Sequence, residues 1–183
     1  MKQFFSSALE IVEITAVAFA AVFLIRTYLV QPFLVSGSSM VPNFSDGDYL
    51  LIDELTYHFR APERGEVVVF RYPKNESVYF IKRIIGLPGD KVEIKDNTIT
   101  VFDQKNPGGF KLDEKYLPGD LGSFGNAEFQ VPEGSYFVMG DNRPYSFDSR
   151  SWGMLPNNDV VGLVQFRLWP PASIKVFAAP SYQ

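Results

Sequence analysis

The chain has 183 residues, enough for one domain with a sizeable core. Its formal net charge of −4 argues against a general nucleic-acid binder, which would carry a basic face. With no cysteine and a single histidine, thiol catalysis, disulfides, Cys-ligated zinc and a His-rich metal site within one chain are excluded. Seventeen phenylalanines and nine tyrosines lean the composition toward β structure.

Ile14 to Ile25 carries no charge, no Gly and no Pro, and is bracketed by Glu13 and Arg26. That run is short of the roughly 20 residues needed to cross a bilayer. Extension through Ile11 and on to Val30 reaches the length, with Glu13 and Arg26 near the ends, where long side chains snorkel. Pro32 then stops the helix. A buried core helix fits the same pattern. A cleaved leader fits it less well, because Glu10 and Glu13 sit upstream and Arg26-Thr27-Tyr28 is a poor cleavage site. The reading taken is an uncleaved anchor: a short cytoplasmic N-terminus over 1–10, a transmembrane helix over 11–31 and an extracytoplasmic β domain over 32–183. Lys2 and Arg26 flank the span on opposite sides, so charge encodes its orientation only weakly.

Phe33-Leu34-Val35 leads into the serine turn Gly37-Ser38-Ser39-Met40-Val41-Pro42, and Tyr49 to Ile52 reads as a strand after the turn Ser45 to Asp48. Residues 53–65 form a polar loop. Glu66 to Tyr72 is an unbroken apolar run, which predicts a strand buried on both faces, with Val78 to Ile85 as its hairpin partner across Pro73 to Glu76. Val92 to Ile94 and Thr98 to Phe102 read as a hairpin across Asp96-Asn97. Residues 103–127 are rich in Gly, Pro, Lys and Asp and read as an exposed excursion or small subdomain. Phe129 to Val131 and Tyr136 to Met139 are short strands, 140–153 is a polar loop, and Val160 to Trp169 is the last long strand, with a further short one over Ile174 to Phe177. The sum is an antiparallel, mainly β domain of many short strands with one N-terminal helix.

A serine becomes a nucleophile only with a base in reach. His58 lies in the charged loop Tyr57-His58-Phe59-Arg60, and reads as a surface residue. Lys82 sits mid-strand, and strand alternation puts Phe80, Lys82 and Ile84 on one face. An amine between an aromatic and an aliphatic neighbour is desolvated, which favours its neutral form. A lysine guarding a sheet edge satisfies the same pattern, and from the residues alone the two readings stand level.

The chain resembles the type I signal peptidases, the membrane-bound Ser-Lys leader peptidases of bacteria, whose β fold is related to that of the self-cleaving SOS-repressor proteases. Four blocks carry the resemblance in order: Ser39-Met40-Val41-Pro42 after the anchor; Gly47-Asp48-Tyr49-Leu50-Leu51; Arg64 to Phe70 followed by Lys82 to Asp90; and Gly140-Asp141-Asn142-Arg143 leading to Ser146, Asp148-Ser149-Arg150 and Trp152-Gly153. It implies Ser39 as nucleophile and Lys82 as general base. It implies that Ser146 hydrogen-bonds and orients the Lys82 amine, and that Asp148 and Arg150 form an ion pair that Asp141 joins. It implies an oxyanion site built on the Ser39 N–H with Ser38 and Gly37. It implies a cleft for small side chains, of Ala-x-Ala preference, with Val35, Met40, Phe44, Phe80 and Ile81 at its walls.

Gly37 stands where some relatives have a serine that adds a hydroxyl to the oxyanion site. Asn43 and Phe44 replace the usual Thr-Leu, and Phe44 would make the pocket shallower. No metal or cofactor is implied. The partners implied are secretory preproteins and the lipid bilayer, with no nucleic acid and a monomeric state. The implied location is the plasma membrane, with the catalytic domain outside. From Pro32 to Ser39 an extended chain spans at most roughly 25 Å, which keeps the serine near the bilayer surface. The rival readings are a signal-sequence-binding homologue without turnover, and a self-cleaving repressor, which would need a DNA-binding N-terminus in place of an apolar one.

Overall fold

A computed structural model describes residues 10–20, 30–119, 122, 125–180 and 182. Residues 10–20 form helix α1. Among the described residues no helix is long and apolar enough to cross a membrane. Most of the second half of the expected 11–31 span, residues 21–29, lies outside the described residues. Its last two residues are not helical. Val30–Leu34 is strand β1, with Val30 paired to Asp53 and Gln31 to Ile52, so the helix boundary falls earlier than Pro32 suggests.

The remaining strands are β2 (Tyr49–Asp53), β3 (Val67–Tyr72), β4 (Asn75–Gly86), β5 (Lys91–Lys95), β6 (Thr98–Phe102), β7 (Phe110–Lys111), β8 (Ala127–Gln130), β9 (Ser135–Met139), β10 (Leu155–Pro156), β11 (Val160–Trp169) and β12 (Lys175–Val176). Two one-turn helices interrupt them, α2 (Thr56–Phe59) in the expected polar loop and α3 (Ser149–Trp152). The described strands form two antiparallel sheets. The larger runs β1-β2-β11-β3-β4-β9-β10, with β12 on β11; the smaller runs β7-β6-β5-β8.

β3 is buried on both faces for the reason its run of valines implies. Val67 and Val69 enter a core with Val35, Met40, Phe44, Leu50, Ile52 and Val164, while Val68 and Phe70 enter another with Ile84, Tyr136, Val138 and Trp152. Each such side chain contributes about 1.5–3 kcal/mol by leaving water. A third core lies between the sheets, where Ile85, Phe137 and Met139 meet Val92, Ile94, Ile99, Val101 and Leu112. The β5–β6 hairpin turns on Asp96 and Asn97, both at positive φ (48° and 60°), the conformation a two-residue hairpin loop demands and these short polar residues tolerate.

Two local readings change, and the partners of β8 and β9 are added. Asn75 and Glu76 belong to β4, not to the turn before it. β8 and β9 flank Pro132-Glu133-Gly134 but do not pair with each other: β8 joins β5 and β9 joins β4. The 103–127 excursion is not merely exposed. Its β7 extends the small sheet and its Leu112 is buried in the inter-sheet core.

Candidate active site

The serine turn lies between β1 and β2. Gly37 takes φ +95°, and its N–H donates to Asp46 Oδ1 at 2.7 Å, which closes the turn on itself. The turn is then fastened to the loop after β9. Asn142 N–H donates to the Ser39 carbonyl and Asn142 Nδ2 to the Ser38 carbonyl, each at 3.0 Å. Asp141 N–H points at Met40 Sδ at 3.4 Å. Gly140 sits so close beneath the turn that a Cβ there would meet the Ser39 carbonyl at 2.4 Å and Ser146 Oγ at 2.2 Å.

Lys82 comes from β4, opposite Val68 on β3. Its Nζ lies 2.7 Å from Ser39 Oγ and donates to the Ile81 carbonyl at 2.8 Å. The residue is 3 % exposed, and the Phe80 ring centroid is 5.3 Å from the amine. Burial pulls its pKa down from 10.5 to about 8, partly opposed by the negative charges of Asp148 and Asp141. The edge-guard reading is thereby excluded, because Lys82 is buried inside the sheet. His58 is exposed and its Nδ1 contacts the Glu54 carbonyl.

Asp148 and Arg150 form the expected ion pair, with Nε and Nη2 each 2.8 Å from the carboxylate. Asp148 also caps α3 and accepts from Gly140 N–H at 3.0 Å, so it braces the loop from below. Asp141 does not join that pair. Its carboxylate takes Arg83 Nε at 2.8 Å and Nη2 at 2.6 Å, with Asn43 Nδ2 as a further donor. Ser146 is likewise not bonded to the amine. Its hydroxyl is buried with no hydrogen-bond partner among the described residues.

A groove of about 300 Å³ runs past Ser39 and Lys82. Val35, Phe80 and Ile81 line it as expected, with Leu50 and Val69 also on its wall. Met40 and Phe44 do not. Both point into the core, at 1 % and 0 % exposure, and Phe44 packs on Phe177 with ring centroids 4.4 Å apart. Phe44 therefore does not make the groove shallower. Phe33, Tyr79, Tyr145 and Phe147 line the groove without having been singled out, although Tyr79, Tyr145 and Phe147 adjoin Phe80 and Ser146 in sequence and Phe33 lies two residues before Val35. A larger cavity of about 520 Å³, bordered by Arg60, Arg83 and residues 175–180, has neither Ser39 nor Lys82 among its walls.

A serine hydroxyl against a desolvated amine at the wall of an apolar groove is, in class, the arrangement of a serine peptidase. The family model described as signal peptidase, peptidase S26, matches residues 8–169, and the chain belongs to that family. It is 38 % identical over 177 residues to signal peptidase IB of Staphylococcus aureus, covering 87 % of this chain and 88 % of that one. It is 38 % identical over 151 residues to the probable signal peptidase I-2 of Synechocystis sp., covering 80 % and 66 %. A crystal structure of a signal peptidase I from Enterococcus faecalis aligns with a TM-score of 0.49 at 32 % identity, over 58 % of this chain and 98 % of that one.

Proposed function

We propose that this chain is a membrane-anchored serine endopeptidase that removes N-terminal signal peptides from secreted preproteins, cutting after small residues in an Ala-x-Ala pattern. The observation that carries the chemistry is the 2.7 Å approach of the Lys82 amine to the Ser39 hydroxyl. The amine takes the hydroxyl proton as Ser39 attacks the scissile carbonyl, then gives it to the leaving amine. An acyl-enzyme remains, and the same amine activates the water that resolves it.

Ser39 N–H has no partner among the described residues, which supports its role as the main oxyanion donor. Gly37 has its own N–H engaged by Asp46, so its contribution is the bend that aims Ser38 and Ser39. Ser146 supplies a free buried hydroxyl, to which the amine turns once Ser39 is acylated. The groove walls at Val35, Phe80 and Ile81 restrict it to small side chains.

A membrane setting is supported by the edge of the large sheet. Leu34 pairs with Tyr49 and Tyr49 with Trp169, so the three side chains stand in a row on one face, at 57 %, 46 % and 54 % exposure. Such a row, at the end of β1 where the chain passes into the serine turn, suits contact with lipid in a monomer whose N-terminus is cytoplasmic and whose β domain is outside.

The test is cleavage of a signal-peptide substrate by the purified full chain in detergent. Wild type cuts; Ser39→Ala and Lys82→Met do not, while both keep a wild-type circular dichroism spectrum. Normal processing by folded Lys82→Met excludes the mechanism.

A further inference from the structure

Asn43 directly follows the serine turn, and three parts of the site meet at its side chain. Its Nδ2 donates to Asp141 Oδ2 and to the Tyr116 carbonyl, both at 2.9 Å. Asp141 is the carboxylate that grips Arg83, the neighbour of Lys82 on β4. Tyr116 comes from the 103–127 excursion, and its ring centroid lies 4.0 Å from the Arg83 guanidinium. The Tyr116 hydroxyl accepts from Arg143 Nη2 at 3.1 Å, and Glu114 pairs with the same guanidinium at 2.5 Å. Arg143 directly follows Asn142, which holds the Ser38 and Ser39 carbonyls.

Two ties thus leave the serine turn. The Asn142 bonds fasten its carbonyls to the loop after β9. The Asn43 amide fastens its far end to Asp141 and, through Arg83, to the strand that carries Lys82. We propose that Asn43 is a positioning residue for the reaction: its two amide protons clamp the serine turn to Asp141 and to the excursion, and so hold Ser39 Oγ within reach of the Lys82 amine. Tyr116 is the excursion's half of that clamp, supplying the carbonyl and capping Arg83. A displacement of about 1 Å at a reacting pair is enough to cost about a hundredfold in rate.

This inference rests on the proteolytic reading above. The test is steady-state cleavage of a signal-peptide substrate by the full chain in detergent, well below the melting temperature of each variant, with Ser39→Ala as the zero. Asn43→Ala lowers kcat about tenfold with KM little changed, since the lost bonds serve geometry and not substrate binding. Asn43→Asp keeps the shape but sets a carboxylate against Asp141 and a carbonyl, and falls below Asn43→Ala. Asn43→Thr keeps one donor and falls between wild type and alanine. Tyr116→Leu keeps the carbonyl, loses the ring over Arg83, and also lowers kcat at constant KM. Wild-type kcat in Asn43→Ala and Asn43→Asp, with only the melting temperature lowered, overturns the proposal. If Asn43→Ala does not fold, Asn43→Thr decides: intermediate kcat supports the clamp, wild-type kcat overturns it. A wild type no more active than Ser39→Ala brings down the proteolytic reading and this one with it.

Discussion

Lys82 is a cation held where a cation is unwelcome. Burial lowers its pKa to about 8, and the two nearby carboxylates, Asp148 and Asp141, keep it from falling further. Activity that needs the free amine therefore rises with pH and levels off above about 8. Below that, kcat/KM should fall about tenfold per pH unit, read from a pH–rate profile. Stability follows the same group. Above its ordinary pKa of 10.5 the amine is neutral folded or unfolded, and burial costs nothing extra; below about 8 the folded state must hold the charge or shed it. The folded state is thus penalised at neutral pH, and the penalty is relieved as pH rises from about 8 to 10.5. Lys82→Met should be inactive yet more stable than wild type at pH 7, by up to about 3 kcal/mol in urea denaturation, the gap closing as the pH nears 10. Strand period sets Lys82 on one face with Phe80 and Ile84, a pattern that an edge-guarding lysine satisfies equally, and it is the burial of β4 inside the sheet that decides for a desolvated amine. The directions of Met40 and Phe44 were not legible in the sequence. Nearness to the nucleophile in a turn does not fix where a side chain points, and both turn inward to fill the core under β2 and β3.

At the scale of elements, the loop after β9 is the part that aligns the rest. Gly140 leaves no room for a methyl against the Ser39 backbone. Gly140→Ala should push the serine turn off Lys82, costing about 1–3 kcal/mol of stability by overpacking and most of the activity, checked by melting and cleavage of the same sample. Asp141→Asn should be costlier. It leaves Arg83, 5 % exposed, without its carboxylate, a loss of about 3–5 kcal/mol measurable by chemical denaturation. The long strands and the Asp96-Asn97 hairpin were readable from apolar runs and turn chemistry. The separation of β8 and β9 into different sheets was not, since short strands around a Pro-Glu-Gly turn carry no mark of their partners. Nor was the pairing of Asp141 with Arg83, because opposite charges far apart in sequence can combine in many ways.

Across the whole molecule the two sheets are joined by one shared core. Phe137, fully buried, faces the small sheet and stacks near Phe129, ring centroids 4.6 Å apart. Phe137→Ala should cost about 3–5 kcal/mol and loosen β5 to β8 first, seen as faster amide exchange there than in β3. The small sheet also carries the excursion whose Tyr116 reaches the site, so loosening it should lower activity even where the large sheet persists. That segment looked like an exposed detour because its composition is polar, yet its polar groups are the ones that bridge.

The bonds that seat the serine turn span about 100 positions: Asn43 to Asp141 is a separation of 98, and Ser38 to Asn142 one of 104. A ribosome makes the nucleophile long before it makes the brace. A half-finished chain therefore holds the hydroxyl without its seat. Competence to cut arrives only near the end of synthesis, and the order of translation itself keeps an immature copy inert.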